Sequence, residues 1–192
     1  GVVCYNQQQQ LLYEFGYTDD AHGVPQGVVC SISECRDGAI IVYDDGRMVC
    51  CDVMHQQHTV WAAEGIPTLK RHRSKSLRAF SDQMDNIWLY GQGTLYMYNK
   101  SSDAWESSIG EQLGLTNVGV DRNINSMAGD RNGNIWIGSD QLGLLKMDVN
   151  THQIENVQPR NINDNQLAKD NIGIQSVYVD DTDLLWVGTE KS

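Results

Sequence analysis

A short phrase recurs along this 192-residue chain, and its spacing constrains the fold more than any other feature. The clearest copy is GDRNGNIWIGSD, which holds Trp136. Related copies surround Trp88 and Trp186, and a fainter copy places Ile41 in the tryptophan position. These four positions are 47, 48 and 50 residues apart. A period near 48 residues is typical of the blades of a β-propeller.

Each repeat is patterned as short strands rather than helices. The runs NIWIG and LLWVG are apolar, rich in β-branched and aromatic residues, and bounded by turn residues, which predicts strands. A second run such as GLLKMDVN follows after a Gly-containing gap, and a weaker one such as QIENV follows that. With the run that precedes the phrase, each repeat holds four strands. The sequence therefore predicts an all-β propeller built from four-stranded blades.

The residues of the phrase have architectural roles that their chemistry predicts. Asp130 ends the first strand and accepts hydrogen bonds from turn amides, and Gly133 supplies the positive φ of a tight hairpin. Trp136 lies on an inner strand and packs against the neighbouring blade, while Gly138 lets the chain leave that strand without a side chain in the way. The other copies carry equivalent residues at Asp82, Trp88, Asp180, Trp186 and Gly188. We therefore interpret these aspartates as structural rather than catalytic.

The chain begins and ends within repeats. Residues 1–15 match the second half of a repeat and residues 172–190 match the first half, with whole repeats at 27–70, 75–115 and 122–158. Residues 1–192 are thus predicted to form one propeller portion with three whole blades and two half-blades. Three arrangements fit: a closed four-bladed ring, an eight-bladed ring of two chains, or a piece of a longer propeller.

Charge and composition exclude some partners. The net charge of −11 repels a phosphate backbone, so no nucleic-acid partner is expected. No apolar run approaches the ~20 residues that span a bilayer, so we expect no direct membrane contact. The number of cysteines is odd, so at least one is unpaired, and their spacing gives no disulfide framework. We interpret most of them as buried strand thiols that favour a reducing compartment: Cys4, Cys30, Cys35, Cys50 and Cys51.

Candidate chemical sites are sparse. Cys50, Cys51, His55 and His58 lie within nine residues, but adjacent strand cysteines point to opposite faces and no C-x-x-C pair is present, so no metal site is predicted. No nucleophile or phosphate-binding motif occurs, and we predict neither a cofactor nor catalysis.

Two further features have a structural and a binding interpretation. The basic run Lys70–Lys75 fits a solvated loop, or a contact for an anionic sugar or an acidic partner. Trp61 and Trp105 lie outside the tryptophan position of the motif. In the structural interpretation each covers a blade edge, and in the binding interpretation each stacks on a sugar ring.

The phrase D-x-x-G-N-I-W-I-G-S…G-L resembles the two-component regulator propeller repeat. The best match comprises Asp130, Gly133, Asn134, Ile135, Trp136, Ile137, Gly138, Gly143 and Leu144. The second comprises Asp82, Asn86, Ile87, Trp88, Leu89, Gly93 and Leu95, and the third Asp180, Leu185, Trp186, Val187, Gly188 and Thr189. The departures are Ile41 in the tryptophan place, Asp85 and Asp183 in the turn-glycine place, and Tyr90 before Gly91.

The resemblance implies a function that spacing alone does not. Such repeats build the periplasmic sensor region of hybrid two-component sensors in glycan-degrading gut bacteria. Members of that family carry two seven-bladed propellers, a small β-sandwich, a membrane helix, and cytoplasmic kinase and regulator parts. The resemblance implies that this chain is a non-catalytic fragment of one such propeller. Any histidine kinase activity would lie outside the chain, and other segments of the same protein, in a homodimer, would be its partners.

The resemblance also implies an oligosaccharide ligand. Binding is expected at loops where the second strand of a blade meets the third and where repeats connect. The candidate side chains there are Arg73, Gln92, Asn123, Asp140 and Gln141. The alternative is a structural propeller that docks a protein partner and binds no small ligand. An enzyme such as a polysaccharide lyase or glycosidase ranks third.

Overall fold

The computed structural model describes residues 2–15, 27–52, 54–55, 57–61, 77–91, 93–99, 101–115, 123–157 and 172–189. The chain divides into two compact units, Gly1–Ala79 and Phe80–Ser192. The described regular structure consists of antiparallel strands and one helix, α1 (Ser108–Gln112). The prediction of an all-β fold is therefore confirmed. The sequence did not predict the five-residue helix, which buries Ile109 and Gly110.

The first unit contains a hairpin and a four-stranded meander. The hairpin pairs β1 (Val2–Tyr5) with β2 (Leu11–Phe15). The meander runs in the order β3 (Val29–Cys35), β4 (Gly38–Tyr43), β5 (Met48–Asp52) and β6 (Gln57–Trp61). One face of the meander buries a small core of Ile41, Tyr43, Val49 and Cys51, against which Val2 and Val60 pack.

The second unit is built from three sheets, each with its strands in chain order. The first holds β7 (Arg78–Ser81), which crosses the boundary between the units, with β8 (Ile87–Gly91), β9 (Thr94–Asn99) and β10 (Ala104–Glu106). The next holds β11 (Ile124–Gly129), β12 (Asn134–Ser139), β13 (Gly143–Asp148) and β14 (Ile154–Val157). The last is a two-stranded sheet of β15 (Ile174–Val179) and β16 (Leu185–Thr189).

Apolar residues fill the spaces between successive sheets of the second unit. The larger core lies between the β7–β10 and β11–β14 sheets and contains Trp88, Leu95, Met97, Ile137 and Met147 among its members. A smaller core joins the β11–β14 and β15–β16 sheets around Leu144, Ile174 and Val177. Because the β11–β14 sheet packs against a core on each side, its central strands bury apolar residues of both faces rather than of one.

The first strand of a repeat carries a β-bulge at a fixed place. The pairing register shifts between Val29 and Ser31 in β3, between Ile124 and Ser126 in β11, and between Ile174 and Ser176 in β15. A bulge leaves one residue outside the ladder and re-aims its side chain. Asn125 and Gln175 are two of these extra residues, and both contribute to the site described below.

The register corrects one position of the sequence alignment. Counted from the bulge, Ser33 pairs with Ile40 just as Ala128 pairs with Trp136. Ile40, not Ile41, therefore occupies the tryptophan place in the first whole repeat, and Ile41 lies on the opposite face of β4. A slip of one residue was invisible in the sequence because four consecutive residues of β4 are apolar or small.

Turn and packing requirements explain the special backbone positions of the phrase. Gly133 has φ of +79°, and Asp85 and Asp183 adopt φ of +61° and +66° in the corresponding turns. Aspartate tolerates this left-handed conformation better than most residues because its side chain bonds locally. Gly138 has a different role from the predicted strand exit. A Cβ there would lie 2.7 Å from Cγ2 of Ile174, so glycine permits β15 to approach β12.

Candidate functional site

Three aspartates bind both a turn and a tryptophan, and we call each such pair an Asp–Trp pair. The indole Nε1 donates to the Oδ2 atom at 2.8 Å in Asp82–Trp88, 3.0 Å in Asp130–Trp136 and 2.7 Å in Asp180–Trp186. The Oδ1 atom of each aspartate accepts backbone N–H groups two and four residues further on, at 2.8 to 3.0 Å. Each carboxylate therefore closes its hairpin turn and fixes the indole ring.

These contacts hold the carboxylate of Asp130 in its ionised form. Burial opposes ionisation, but hydrogen bonds from Asn134, Trp136 and Asn132 outweigh it and lower the pKa of Asp130. The pKa of Asp180 is lowered as well, because the hydroxyl of Thr182, the indole of Trp186 and the amide of Leu184 all donate to it. A carboxyl held ionised by its own turn is suited to structure rather than to proton transfer.

The exposure of the three paired indoles follows the size of the sheet that covers each one. Trp88 is fully buried and meets the His152 ring edge-on, with 6.2 Å between ring centroids. Trp136 packs against the two-stranded β15–β16 sheet and is partly exposed. Trp186 is 61% exposed, and no described sheet follows it. The predicted packing against a neighbouring blade is therefore observed for Trp88 and for Trp136.

A group of polar side chains lies at the opposite end of the β11–β14 sheet from the Asp130 turn. We call Asn123, Asn125, Asp140, Gln141 and Gln175 the amide cluster. They come from the start of β11, the β12–β13 turn and the start of β15. These segments adjoin because β11 and β12 are antiparallel and β15 packs beside β11.

Hydrogen bonds join the members of the amide cluster. The Oδ1 atom of Asp140 accepts the amide groups of Asn125 and Gln175, both at 2.6 Å. Asn125 also donates to the backbone carbonyl of Ile174 at 2.9 Å and accepts from the amide of Asn123 at 2.8 Å. The Oε1 atom of Gln141 accepts the backbone N–H of Asn123 at 3.2 Å.

One acceptor in the cluster has no donor within the described part of the chain. The Oδ1 atom of Asn123 is buried and lacks a hydrogen bond there. A buried carbonyl oxygen of this kind costs free energy unless a donor reaches it. Around it, the amides present both donors and acceptors and the carboxylate presents acceptors, which is the mixture that hydroxyl groups require.

The structure brings together three of the five side chains that the sequence indicated as ligand-binding. Asn123, Asp140 and Gln141 belong to the amide cluster, while Arg73 and Gln92 lie outside the described residues. The sequence analysis missed Asn125 and Gln175. Their signal was present in the recurring triplets INS and IQS, whose middle residue is the one displaced by the bulge.

The remaining residues that the sequence analysis considered for metal or ligand binding either contact other side chains or lie outside the residues that the structure describes. His55 is bonded to Asp52 with 2.6 Å between Nδ1 and Oδ2, and the described residues contain no group of three or more potential metal ligands. The Trp105 and Tyr98 rings pack 5.3 Å apart. The side chain of Trp61 and the basic run 70–75 lie outside the described part of the structure.

A concave region lies on strands β12, β13 and β14 of the β11–β14 sheet. It encloses about 250 Å³ and is lined by Asn134, Lys146, Asp148, Gln153, Ile154 and Glu155. Lys146 already has partners in this region, because its Nζ lies 3.3 Å from Glu155 and 5.8 Å from the centre of the Trp136 ring.

None of the described helices is long and apolar enough to cross a membrane.

Comparison with known proteins identifies the repeat. Residues 119–141 match the two component regulator propeller family. In this segment the chain is similar to the two component regulator propeller repeat. The matched span of the propeller repeat includes the Asp130–Trp136 pair together with four of the five members of the amide cluster. No curated protein sequence matches the chain significantly.

Solved structures share the fold at low sequence identity. The extracellular domain of the hybrid two component system BT4673 from B. thetaiotaomicron matches with 18% identity and a TM-score of 0.60, covering 95% of this chain and 23% of that one. The corresponding domain of BT3049 from the same organism matches with 15% identity and a TM-score of 0.57, covering 96% and 29%. PorZ, a surface component of the type-IX secretion system of Porphyromonas gingivalis, matches with 16% identity and a TM-score of 0.62, covering 95% and 28%.

These likenesses establish the fold class. The chain spans between 23% and 29% of the length of these solved relatives. The four-stranded antiparallel sheets of the propeller repeats match those structures along nearly the whole chain. The prediction of a β-propeller portion with four-stranded blades is therefore confirmed.

Proposed function

We propose that this chain is a non-catalytic, ligand-recognising portion of the periplasmic sensor region of a hybrid two-component system protein. Two observations support this assignment: the propeller repeat at residues 119–141 and the likeness to extracellular domains of hybrid two component systems. Other propeller segments of the same protein, in a homodimer, are the partners that the proposal expects. The ligand that we propose is an oligosaccharide bound at the amide cluster.

The amide cluster is the observation that carries the ligand proposal. Sugar hydroxyls donate and accept hydrogen bonds at once, and a mixed set of amide and carboxylate groups satisfies both capacities. The buried Oδ1 atom of Asn123 lacks a donor among the described residues, and a ligand hydroxyl that displaced its cover would supply one. Asp140 is already oriented by Asn125 and Gln175, so little side-chain freedom is lost on binding.

Charge narrows the class of sugar. The chain carries 25 acidic against 14 basic residues, and the only charged member of the amide cluster is an aspartate. An anionic glycan would be repelled by both. We therefore propose a neutral oligosaccharide.

The position of the cluster couples binding to the arrangement of two sheets. Asp140 belongs to the β12–β13 turn, whereas Gln175 and the carbonyl of Ile174 belong to β15. A ligand that bonds to both sides binds one relative position of the sheets better than another. By that difference in affinity it shifts the population of the two positions, which is the minimum that a sensor requires.

Calorimetric titration with a panel of neutral and anionic oligosaccharides tests the proposal. We expect heat with at least one neutral glycan and an affinity at least about tenfold lower for Asp140→Asn, because a hydrogen bond to a charged acceptor contributes about 1.5–3 kcal/mol. The matched control is Asn150→Ala, an exposed amide in the β13–β14 turn at the other end of the sheet. Absence of heat with every glycan refutes an oligosaccharide ligand, and unchanged affinity in Asp140→Asn refutes this site.

The β15–β16 sheet favours a second candidate function, the docking of a protein partner without any small ligand. Tyr178, Leu184 and Trp186 are each about 60% exposed on that sheet. Apolar side chains grouped in this way mark interaction surfaces. Two results together would favour this alternative: Trp186→Ser abolishes binding of the protein partner, and calorimetric titration detects no heat with any oligosaccharide.

A further inference from the structure

The turns that hold the Asp–Trp pairs also contact the turn of the following repeat. The residue directly after the paired aspartate donates forward: Gln83 in the β7–β8 turn and Arg131 in the β11–β12 turn. The side-chain amide of Gln83 donates to the backbone carbonyl of Asp130. The guanidinium of Arg131 donates to the backbone carbonyl of Asp181, with 2.5 Å between Nη2 and the oxygen. One kind of contact therefore joins successive sheets at both places.

The β15–β16 turn adds a carboxylate to this contact. The Oδ1 atom of Asp183 accepts the backbone N–H of Arg131 at 3.1 Å, and its Oδ2 atom accepts the side-chain amide of Asn132 at 3.0 Å. Asp183 occupies the place of Gly133 and has φ of +66°. Glycine would satisfy that backbone, so the turn by itself requires no acid. We call the bonds of Arg131 and Asn132 to Asp181 and Asp183 the turn contact.

The turn contact and the amide cluster join the same two sheets at opposite ends of β15. At the cluster end, Gln175 donates to Asp140 at 2.6 Å, and Asn125 donates to the backbone carbonyl of Ile174 at 2.9 Å. Asp183 lies in the turn that follows the other end of β15. A strand of six residues, such as β15, spans roughly 17–20 Å. The strand is thus bonded at both ends to the β11–β14 sheet.

These directional bonds fix what apolar packing leaves free. Burial of the apolar side chains between the two sheets is favourable but non-directional, whereas a hydrogen bond has a preferred distance and angle. Between the two ends of β15, the hydroxyl of Ser126 donates to the backbone carbonyl of Val177 at 3.2 Å. Loss of the turn contact would leave bonds on the cluster side only, and the turn end of β15 could then tilt about them.

We propose that Asp183 is a positioning residue that sets the geometry of the amide cluster through β15. Its carboxylate holds one end of the strand, and the strand carries Gln175 and the carbonyl of Ile174 at the other end. A tilt of β15 changes the direction from which both groups meet Asp140 and Asn125.

The consequence for binding follows from preorganisation. A site that spends part of its time in other geometries binds its ligand more weakly, by the fraction of time in which it is competent. The turn contact therefore regulates affinity at the amide cluster without touching the ligand. The effect on affinity rests on the proposed function, whereas the effect on the geometry of the cluster requires no ligand.

The first test compares the ligand-free chain with Asp183→Gly, which removes the carboxylate and keeps a residue that accepts positive φ. Two-dimensional proton–nitrogen NMR spectra report the side-chain amide groups of Asn125 and Gln175, which both donate to Asp140. We expect their signals to shift or broaden, although the substitution lies roughly 20 Å away along β15. Changes confined to the two turns themselves would show that Asp183 serves only the turns, and the proposal would be wrong.

Two further variants serve as controls. Asp85→Gly makes the same change in the β7–β8 turn, where φ is +61°, and should leave the Gln175 signal unchanged. Asn132→Ala removes one donor of the turn contact at an exposed position, so it tests the proposal even if Asp183→Gly does not fold. It should shift the same cluster signals in the same direction, by less. Equal shifts in Asp85→Gly, or none in Asn132→Ala, would contradict the proposal.

The second test measures affinity by calorimetric titration with the panel of neutral oligosaccharides. We expect Asp183→Gly to bind about threefold to tenfold more weakly than the wild-type chain. Asp183→Asn keeps one acceptor oxygen and should lie between the two. Unchanged affinity in a folded Asp183→Gly would refute the regulation of binding. If the wild-type chain gives no heat with any glycan, the ligand proposal fails, and the ligand-free NMR comparison still decides whether Asp183 positions the cluster.

Discussion

The Asp–Trp pairs make a graded prediction about stability, and Asp82→Ala is its strongest member. The Asp82 carboxylate is 6% exposed and accepts the backbone N–H groups of Met84 and Asn86, both at 2.9 Å, and the Trp88 indole at 2.8 Å. Alanine leaves the turn and the indole without their acceptor. Because Trp88 is fully buried, water cannot replace the carboxylate at its Nε1 atom.

The size of the stability loss depends on which of the three hydrogen-bond donors can bond to water once the carboxylate is removed. An orphaned buried donor costs about 1–3 kcal/mol, whereas the two turn amides lie near solvent and recover much of their hydrogen bonding. We expect Asp82→Ala to lower the free energy of unfolding by about 2–4 kcal/mol. In a chain of this length, 1 kcal/mol shifts the unfolding midpoint by about 2–4 °C, so the melting temperature should fall by roughly 4–16 °C.

The same substitution in the last repeat should have less effect. Trp186 is 61% exposed, so its indole can donate to water once Asp180 is replaced. Asp130→Ala should fall between the two, since Trp136 is partly exposed. The order of destabilisation is therefore expected to be Asp82, then Asp130, then Asp180.

Urea unfolding followed by far-ultraviolet circular dichroism and by tryptophan fluorescence measures this series. Two probes are needed because stacked repeats can unfold in parts. Asp181→Ala is the matched control, because its exposed carboxylate neighbours Asp180 but accepts neither the turn amides nor the indole. A loss under about 1 kcal/mol for Asp82→Ala, or an equal loss for Asp180→Ala, would refute the reasoning.

Four further predictions follow from the structure. Trp88→Ala should cost about 3–5 kcal/mol of unfolding free energy in urea titrations, whereas Trp186→Ala should cost much less, because only the first ring is buried. Gly138→Ala should cost about 1–3 kcal/mol in the same assay, since the new methyl group would clash with β15. Alkylation of Cys35 by iodoacetamide should be half-maximal near pH 6, and its midpoint should rise in Cys50→Ser, which removes the hydrogen-bond donor. Thermal scans between pH 2 and 8 should show stability that is present above about pH 4 and lost as the pH falls, because the pKa of Asp130 is lower in the folded than in the unfolded chain and its protonation then favours unfolding.

The strands and their grouping could be predicted because they depend on local pattern. Apolar runs of five or six residues, bounded by Asp, Asn and Gly, predict strands wherever they lie in the chain. The run at β4 shows the limit of such patterns. Its apolar residues Ile40, Ile41 and Val42 are all fully buried, so hydrophobicity cannot decide which of them faces which side, and only the pairing register does.

The sites were less predictable because they combine distant residues. The indole contact of Asp130 joins residues six apart, which become neighbours only once the hairpin pairs Asp130 with Asn134. The amide cluster joins Asn125 to Gln175, residues of two separate repeats. Position within a loop was enough to indicate Asn123, Asp140 and Gln141. The two missed residues lie in strands, where a bulge turns each side chain towards that loop.

The differing exposure of the three paired tryptophans has a consequence for how such a chain is made. The residues that cover Trp88, including Met147 and His152, are encoded about sixty positions later. At a synthesis rate of ~5–20 residues per second, the Trp88 indole stays exposed to water for roughly 3–12 s before the residues that cover it are synthesised. During that interval the carboxylate–indole hydrogen bond, formed within a single hairpin, can hold the ring in place. The hydrogen bond within each hairpin would thus keep the indole ring in its folded position until the next repeat has been synthesised and can pack against it.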